Sequence, residues 1–117
     1  MKIGIFVSPR HSVPSSESQH NIAWDLAGQL ADGLAQKGGN TIVLFAANNS
    51  VTKAKLVHFD LDPLDSARES LSPADYRTKV GESETVMFTR MMEMAVKEKF
   101  DLIHIHEPNE SLVDVIA

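Results

Sequence analysis

His104 and His106 stand two positions apart and are followed at once by Glu107, Pro108 and Asn109. Alternate residues of a strand point to one face, so two imidazoles at this spacing share a side of any sheet that carries them. Near the end of a strand they can hydrogen-bond a sugar hydroxyl or a phosphate, with Glu107 as an acceptor. Two His and a Glu are also plausible metal ligands. A separate third anchor is lacking, however, and no metal is assigned. A lone His would more simply pack under a loop and donate to a carbonyl. A cluster at a functional edge favours a binding site.

The second chemically suggestive stretch is the polar loop that follows the first apolar run, with Pro14, Ser15 and Ser16 at its centre. A loop just ahead of a helix N-terminus offers unpaired amides and the positive end of the helix dipole to an anion. This loop has no glycine, so neither a dinucleotide fingerprint nor a P-loop is present. Capping of the helix by Ser16 and Ser18 is an equally good account of the same residues. Ser8, Ser12 and Ser15 have His11 nearby, but nothing in the sequence positions that ring as a base.

These residues need a scaffold, and the hydrophobic pattern supplies one. Ile3, Ile5, Phe6 and Val7 form a continuous apolar run, as expected of a strand covered on both faces. Ser16-Glu17-Ser18-Gln19 has the form of a capping box. Ile22, Leu26, Leu30 and Leu34 then recur every four residues beside Ala23, Ala27 and Ala31, predicting an amphipathic helix lying close on a sheet. Gly38-Gly39 ends it. Residues 41–46, rich in Ile, Val, Leu and Phe, give a second buried strand and complete a right-handed βαβ unit.

Residues 55–59 form a short third strand in this reading, and 60–72 are mainly loop. Ser72-Pro73-Ala74-Asp75 carries the signals of a helix start, and Gly81 is expected to break that helix. Met87, Met91, Met94 and Ala95 mark one face of a further helix, with core packing as their role, while Glu82, Glu84 and Glu93 read as a solvated face. Residues 101–106 are the last strand. Leu112, Val113, Val115 and Ile116 resemble the first turns of a helix with no strand after it, and the expectation is a domain cut short whose apolar face needs a cover, a homodimer being one way to supply it. The fold class is thus α/β, a Rossmann-like three-layer α/β/α arrangement with a mainly parallel sheet, spanning residues 1–117 as one partial domain.

Composition narrows the functional classes. The 117 residues are 43% hydrophobic and 23% charged, an ordinary globular balance. Eleven Lys and Arg against sixteen Asp and Glu give a formal net charge of −5, and no basic cluster points to nucleic acid. There is no Cys, which removes disulfides and thiolate chemistry and fits a reducing compartment. No apolar run approaches the length of a transmembrane segment. The opening run is too short for a signal peptide and meets Pro9 and Arg10 at once, so the expected location is cytoplasmic.

Four pieces of the chain resemble the start of a family 4 glycosyltransferase. They are Lys2-Ile3-Gly4-Ile5; the helix and strand from Asp25-Leu26-Ala27 through Gly38 to Phe45-Ala46; the stretch Asn49-Ser50-Val51-Thr52 to Val57; and Phe100-Asp101-Leu102-Ile103-His104-Ile105-His106-Glu107-Pro108-Asn109. The last is the most specific, being similar to a strand exit in mannosyltransferase-like members. The resemblance implies a retaining enzyme of GT-B architecture, with this chain covering part of the amino-terminal, acceptor-side domain. It implies a nucleotide-sugar as substrate, with no cofactor, and an acceptor of unknown identity. By the same resemblance Pro14, Ser15 and Ser16 match a loop reaching the donor diphosphate, and His104, His106 and Glu107 line the cleft near the acceptor. Two departures stand out. The family's two loop glycines are replaced by Ser15-Ser16-Glu17-Ser18, and Gly39 stands where a His usually follows the helix-ending Gly38.

A non-catalytic Rossmann-like binding or assembly module is the alternative, favoured by the missing glycines. A nicotinamide-dependent oxidoreductase fits less well, because its glycine fingerprint is absent.

Overall fold

The computed structural model describes residues 1–15, 22–64, 67 and 69–106 of the chain. Strand β1 (Lys2–Phe6) is followed by helix α1 (Ile22–Lys37), β2 (Thr41–Phe45), β3 (Lys55–Val57), α2 (Pro73–Lys97) and β4 (Leu102–Ile105). The strands form one sheet in the order β3-β2-β1-β4. Every neighbouring pair is parallel, with Ile5 opposite Leu44 of β2 on one side and His104 of β4 on the other. The expected mainly parallel α/β sheet is therefore present.

Helix α1 covers one face and α2 the other. Ile3, Ile5, Val7, Ile42 and Leu44 pack with Trp24, Ala27 and Ala31 of α1, whereas Phe6, Val43 and Phe45 pack with Met87, Phe88 and Met91 of α2. Sandwiching β1 and β2 between two helices explains why both strands read as continuous apolar runs. At Gly4 a Cβ would lie 2.8 Å from Ile103 Cδ1 and 2.9 Å from the Phe100 ring, so glycine lets both side chains close down on the central strand.

The face of α1 that meets the sheet keeps Ala27 and Ala31 of the expected stripe but not most of its large residues. Ile22, Leu26 and Leu30 are 66%, 51% and 40% exposed, and only Leu34 of that series is packed on the core. The buried face is Trp24, Ala27, Gly28 and Ala31, offset around the helix from the leucine series. Small residues bring the helix axis close to the strands, and the indole fills the remaining depth. The helix does stop at Gly38 and Gly39, whose φ values of 76° and 82° suit residues without a side chain. The capping residues 16–19 lie outside the described residues.

Helix α2 is also longer than expected. Ser72 caps it, its side chain accepting from the Asp75 amide at 3.1 Å, with Pro73 in the first turn. The helix then runs unbroken through Gly81 to Lys97. One glycine costs a helix about 1 kcal/mol relative to alanine, less than the packing of the apolar face returns. Glu84 corrects the reading of the acidic residues: it is 1% exposed, while Glu82 and Glu93 are exposed. Its position is set by helical register, since Val80, Glu84, Met87, Phe88 and Met91 share the buried side. The carboxylate is not left without an interaction partner.

Strand β3 is three residues long. Positive φ at Phe59 (47°) and Asp60 (60°) turns the chain away just past its end. Met87, Met91 and Met94 of α2 do pack as expected, the first two being fully buried and Met94 lying against the same cluster. Among the described residues no helix is long and apolar enough to cross a membrane.

Candidate functional site

In an open parallel sheet, ligands bind beyond the carboxyl ends of the strands. Here that edge is formed by the exits of β1 and β4, which are neighbours. The β ladder continues past both strand ends: the Val7 amide donates to the Phe45 carbonyl at 3.1 Å, and the His106 amide to the Phe6 carbonyl at 2.9 Å. His106 is thereby fixed level with the start of the β1 loop.

His104 is exposed and His106 half-buried. Their rings lie on one face of β4, with centroids 5.9 Å apart and planes inclined at 49°. This is the side of the sheet that α1 covers, because His104 is level with Ile5, a member of the α1-side core. The structure thus brings the two imidazoles together and leaves them accessible, so that they can act as hydrogen-bonding groups toward a ligand. Glu107 lies outside the described residues. Among the described residues no three His, Cys, Asp or Glu side chains gather as ligands for a metal ion.

The loop after β1 is more tightly built than its polar sequence suggests. Ser8, His11 and Val13 are buried. Trp24 donates from its indole nitrogen to the Ser8 carbonyl at 2.9 Å, and the His11 ring meets the indole edge-on at 4.7 Å. The Arg10 guanidinium lies 4.8 Å over the same indole. Farther along, the Val13 amide donates to the Ser50 hydroxyl at 2.9 Å, and the Val51 amide donates to the Val13 carbonyl at 2.6 Å. Gly28 of α1 makes room for this turn, because a Cβ there would lie 2.6 Å from Val13 Cγ1.

Of the loop residues expected to meet a phosphate, Pro14 is exposed and Ser15 half-buried, while Ser16 lies outside the described residues. Both donors of Ser15 are engaged by α1. Its amide and its hydroxyl reach the same oxygen of Asp25, at 2.8 Å and 3.0 Å. An anion approaching Ser15 would have to displace this carboxylate or share donors with it. The cation this loop does carry is Arg10, whose Nε is buried with no hydrogen-bond partner among the described residues.

Sequence reasoning passed over Arg10 and Trp24 and left His11 unplaced. The chain's one Trp, eight to sixteen residues after a run of Ser, Arg and His, was the available signal. It could not be used without knowing which face of α1 is buried. The structure gives His11 a packing role against Trp24.

Compared with known proteins, the chain matches no family model and no characterised relative.

Proposed function

We propose that this chain is part of the acceptor-side domain of a glycosyltransferase of GT-B type, moving a sugar from a nucleotide-sugar to a hydroxyl-bearing acceptor. One observation carries the reading: His104 and His106 present two accessible imidazoles, 5.9 Å apart, at the carboxyl edge of an all-parallel sheet. Neutral imidazole offers one donor and one acceptor, a good match to sugar hydroxyls, which do both. The resemblance of residues 100–109 to the family's strand exit supports the same assignment, as does the order of β1, α1 and β2. In this reading the imidazoles orient the acceptor, and the loop at Pro14, Ser15 and Ser16 lies toward the donor diphosphate. Arg10 supplies the nearby positive charge. The engagement of Ser15 by Asp25 argues that this loop contributes less to phosphate binding than a glycine-rich one.

The experiment is release of nucleoside diphosphate from a panel of UDP- and GDP-sugars by the natural protein, with sugars and glycosides as acceptors. Acceptor-stimulated release that falls at least tenfold in both His104→Ala and His106→Ala supports the proposal. Release from none of the donors, or release indifferent to both replacements, contradicts it.

The specific observation favouring a non-catalytic binding module is the Ser15–Asp25 contact, which engages both donors of Ser15 inside the protein. That reading predicts ligand binding at the histidines without release of nucleoside diphosphate.

A further inference from the structure

Among the described residues, the Nε of Arg10 is the one buried side-chain nitrogen or oxygen without a hydrogen-bond partner. Buried polar groups in folded proteins are nearly all satisfied, and an unpaired donor on a charged group is the costliest exception. The sugar-transfer reading uses this side chain only as a nearby positive charge. We propose that Arg10 anchors an oxyanion site that takes a phosphate group, gripped through Nε and a terminal nitrogen of the guanidinium.

Three observations carry the site. The first is the fork itself. Along its Nε edge a guanidinium offers two parallel N–H donors, which match two oxygens of one phosphate. Arg10 as a whole is half-buried, so a ligand reaches it from solvent and meets an Nε that has already given up its water.

The second is preorganisation. The guanidinium lies 4.8 Å over the indole of Trp24, a fully buried ring held by its own hydrogen bond to the Ser8 carbonyl at 2.9 Å. The main chain of Arg10 is tied down as well, its carbonyl accepting from the Leu64 amide at 2.9 Å. Stacking on a fixed ring removes rotamer freedom that a loose arginine would lose on binding.

The third is charge. Sixteen Asp and Glu outnumber eleven Lys and Arg, yet no described carboxylate forms an ion pair with Arg10. Asp25, which reaches this loop, accepts from Ser15. In an acidic protein, the guanidinium is thus left to an external anion at the carboxyl edge of the sheet, where parallel α/β folds bind ligands. A phosphate is preferred to a carboxylate because it sets more negative charge against the same fork. The site stands on the geometry of Arg10 and does not require sugar transfer.

Titration of the natural protein with inorganic phosphate, followed by the nitrogen-15 and proton resonances of the Arg10 Nε–H group, tests the site. A saturable shift is expected. Affinity should fall roughly tenfold or more in Arg10→Lys, which keeps the charge and loses the fork, and in Arg10→Gln. An Nε–H group that ignores phosphate in the natural protein overturns the proposal. So does unchanged affinity in both variants, or acetate competing as well as phosphate. Uridine and guanosine diphosphates and a hexose phosphate, titrated in parallel, identify the source of the group. Tighter binding of the diphosphates assigns the donor, and tighter binding of the hexose phosphate assigns a phosphorylated acceptor. Phosphate binding at Arg10 without release of nucleoside diphosphate from any donor upholds the site and removes the sugar-transfer reading. Release with no phosphate response at Arg10 does the reverse.

Discussion

Gly28 and Val13 touch across the gap between α1 and the β1 loop so closely that a Cβ on Gly28 would lie 2.6 Å from Val13 Cγ1. The loop therefore rests on the helix by virtue of a missing side chain. Gly28→Ala gains helix propensity yet must push Val13 aside, and Gly28→Leu cannot be accommodated without moving the loop. We expect Gly28→Leu to cost about 1–3 kcal/mol, typical of overpacking, measured as a shift in the midpoint of denaturant unfolding. A midpoint equal to that of the natural protein would show that the loop does not rest on α1 in this way.

Ser50 anchors the other end of the same turn. Its buried hydroxyl accepts from the Val13 amide, and Ser50→Ala leaves that donor without its acceptor. The expected loss is about 1–3 kcal/mol. Amide hydrogen exchange at Val13 should accelerate in the variant, while exchange in β2 changes little. Unchanged protection at Val13 would rule out the anchoring role.

The register of α1 is testable by a pair of opposite substitutions. Ala27 is fully buried and Leu26 is 51% exposed. Ala27→Leu is expected to destabilise the fold by about 1–3 kcal/mol, whereas Leu26→Gln should change stability by about 0.5 kcal/mol or less. The reverse ranking in thermal unfolding would restore the leucine series as the core-facing stripe.

One acid-dependent contribution has a clear sign. Glu98 accepts a hydrogen bond from Lys2 Nζ at 2.7 Å, and this bond, with the charge of Lys2, holds its carboxyl below the usual value. A depressed folded-state pKa means the contact stabilises fully above the unfolded value of about 4.3 and fades as pH falls through the folded value. Both side chains are about a third exposed, so the contribution is small and screened by salt. Glu98→Gln should flatten the stability profile between pH 5 and the acid limb, on the order of that window, with little change near pH 7. A profile that keeps its full acid slope in the variant would exclude Glu98 as a source.

Much of this architecture was legible in the chain. The runs at 3–7 and 41–46 announced strands covered on both faces, because β1 and β2 lie between the helices. Gly38-Gly39 and Ser72-Pro73 marked helix ends through local chemistry that needs no tertiary context. The alternation of His104 and His106 correctly placed both rings on one face.

What escaped the sequence depended on tertiary packing. The expected stripe joined Ala27 and Ala31, which are buried, to Ile22, Leu26 and Leu30, which are not; Trp24 and Gly28 complete the buried face, and packing alone decides which side of the alanines turns to the sheet. Gly81 looked like a break because its local cost is visible, whereas the burial of Val80, Met87 and Met91 that offsets it is not. Glu84 was assigned by residue type, and its register on the helix decided otherwise. The mooring of Ser15 to Asp25 joins residues ten apart, a contact that no local pattern specifies.

The central claim is that the carboxyl edge beside His104 and His106 receives a sugar-like acceptor. Carbon-13 and proton spectra of the histidine rings, recorded while sugars and glycosides are titrated in, test it most directly. The account predicts saturable shifts of both His104 and His106 with at least one such compound, with the buried His11 ring unmoved. Saturable binding that shifts neither β4 histidine, or shifts at His11 alone, would contradict it.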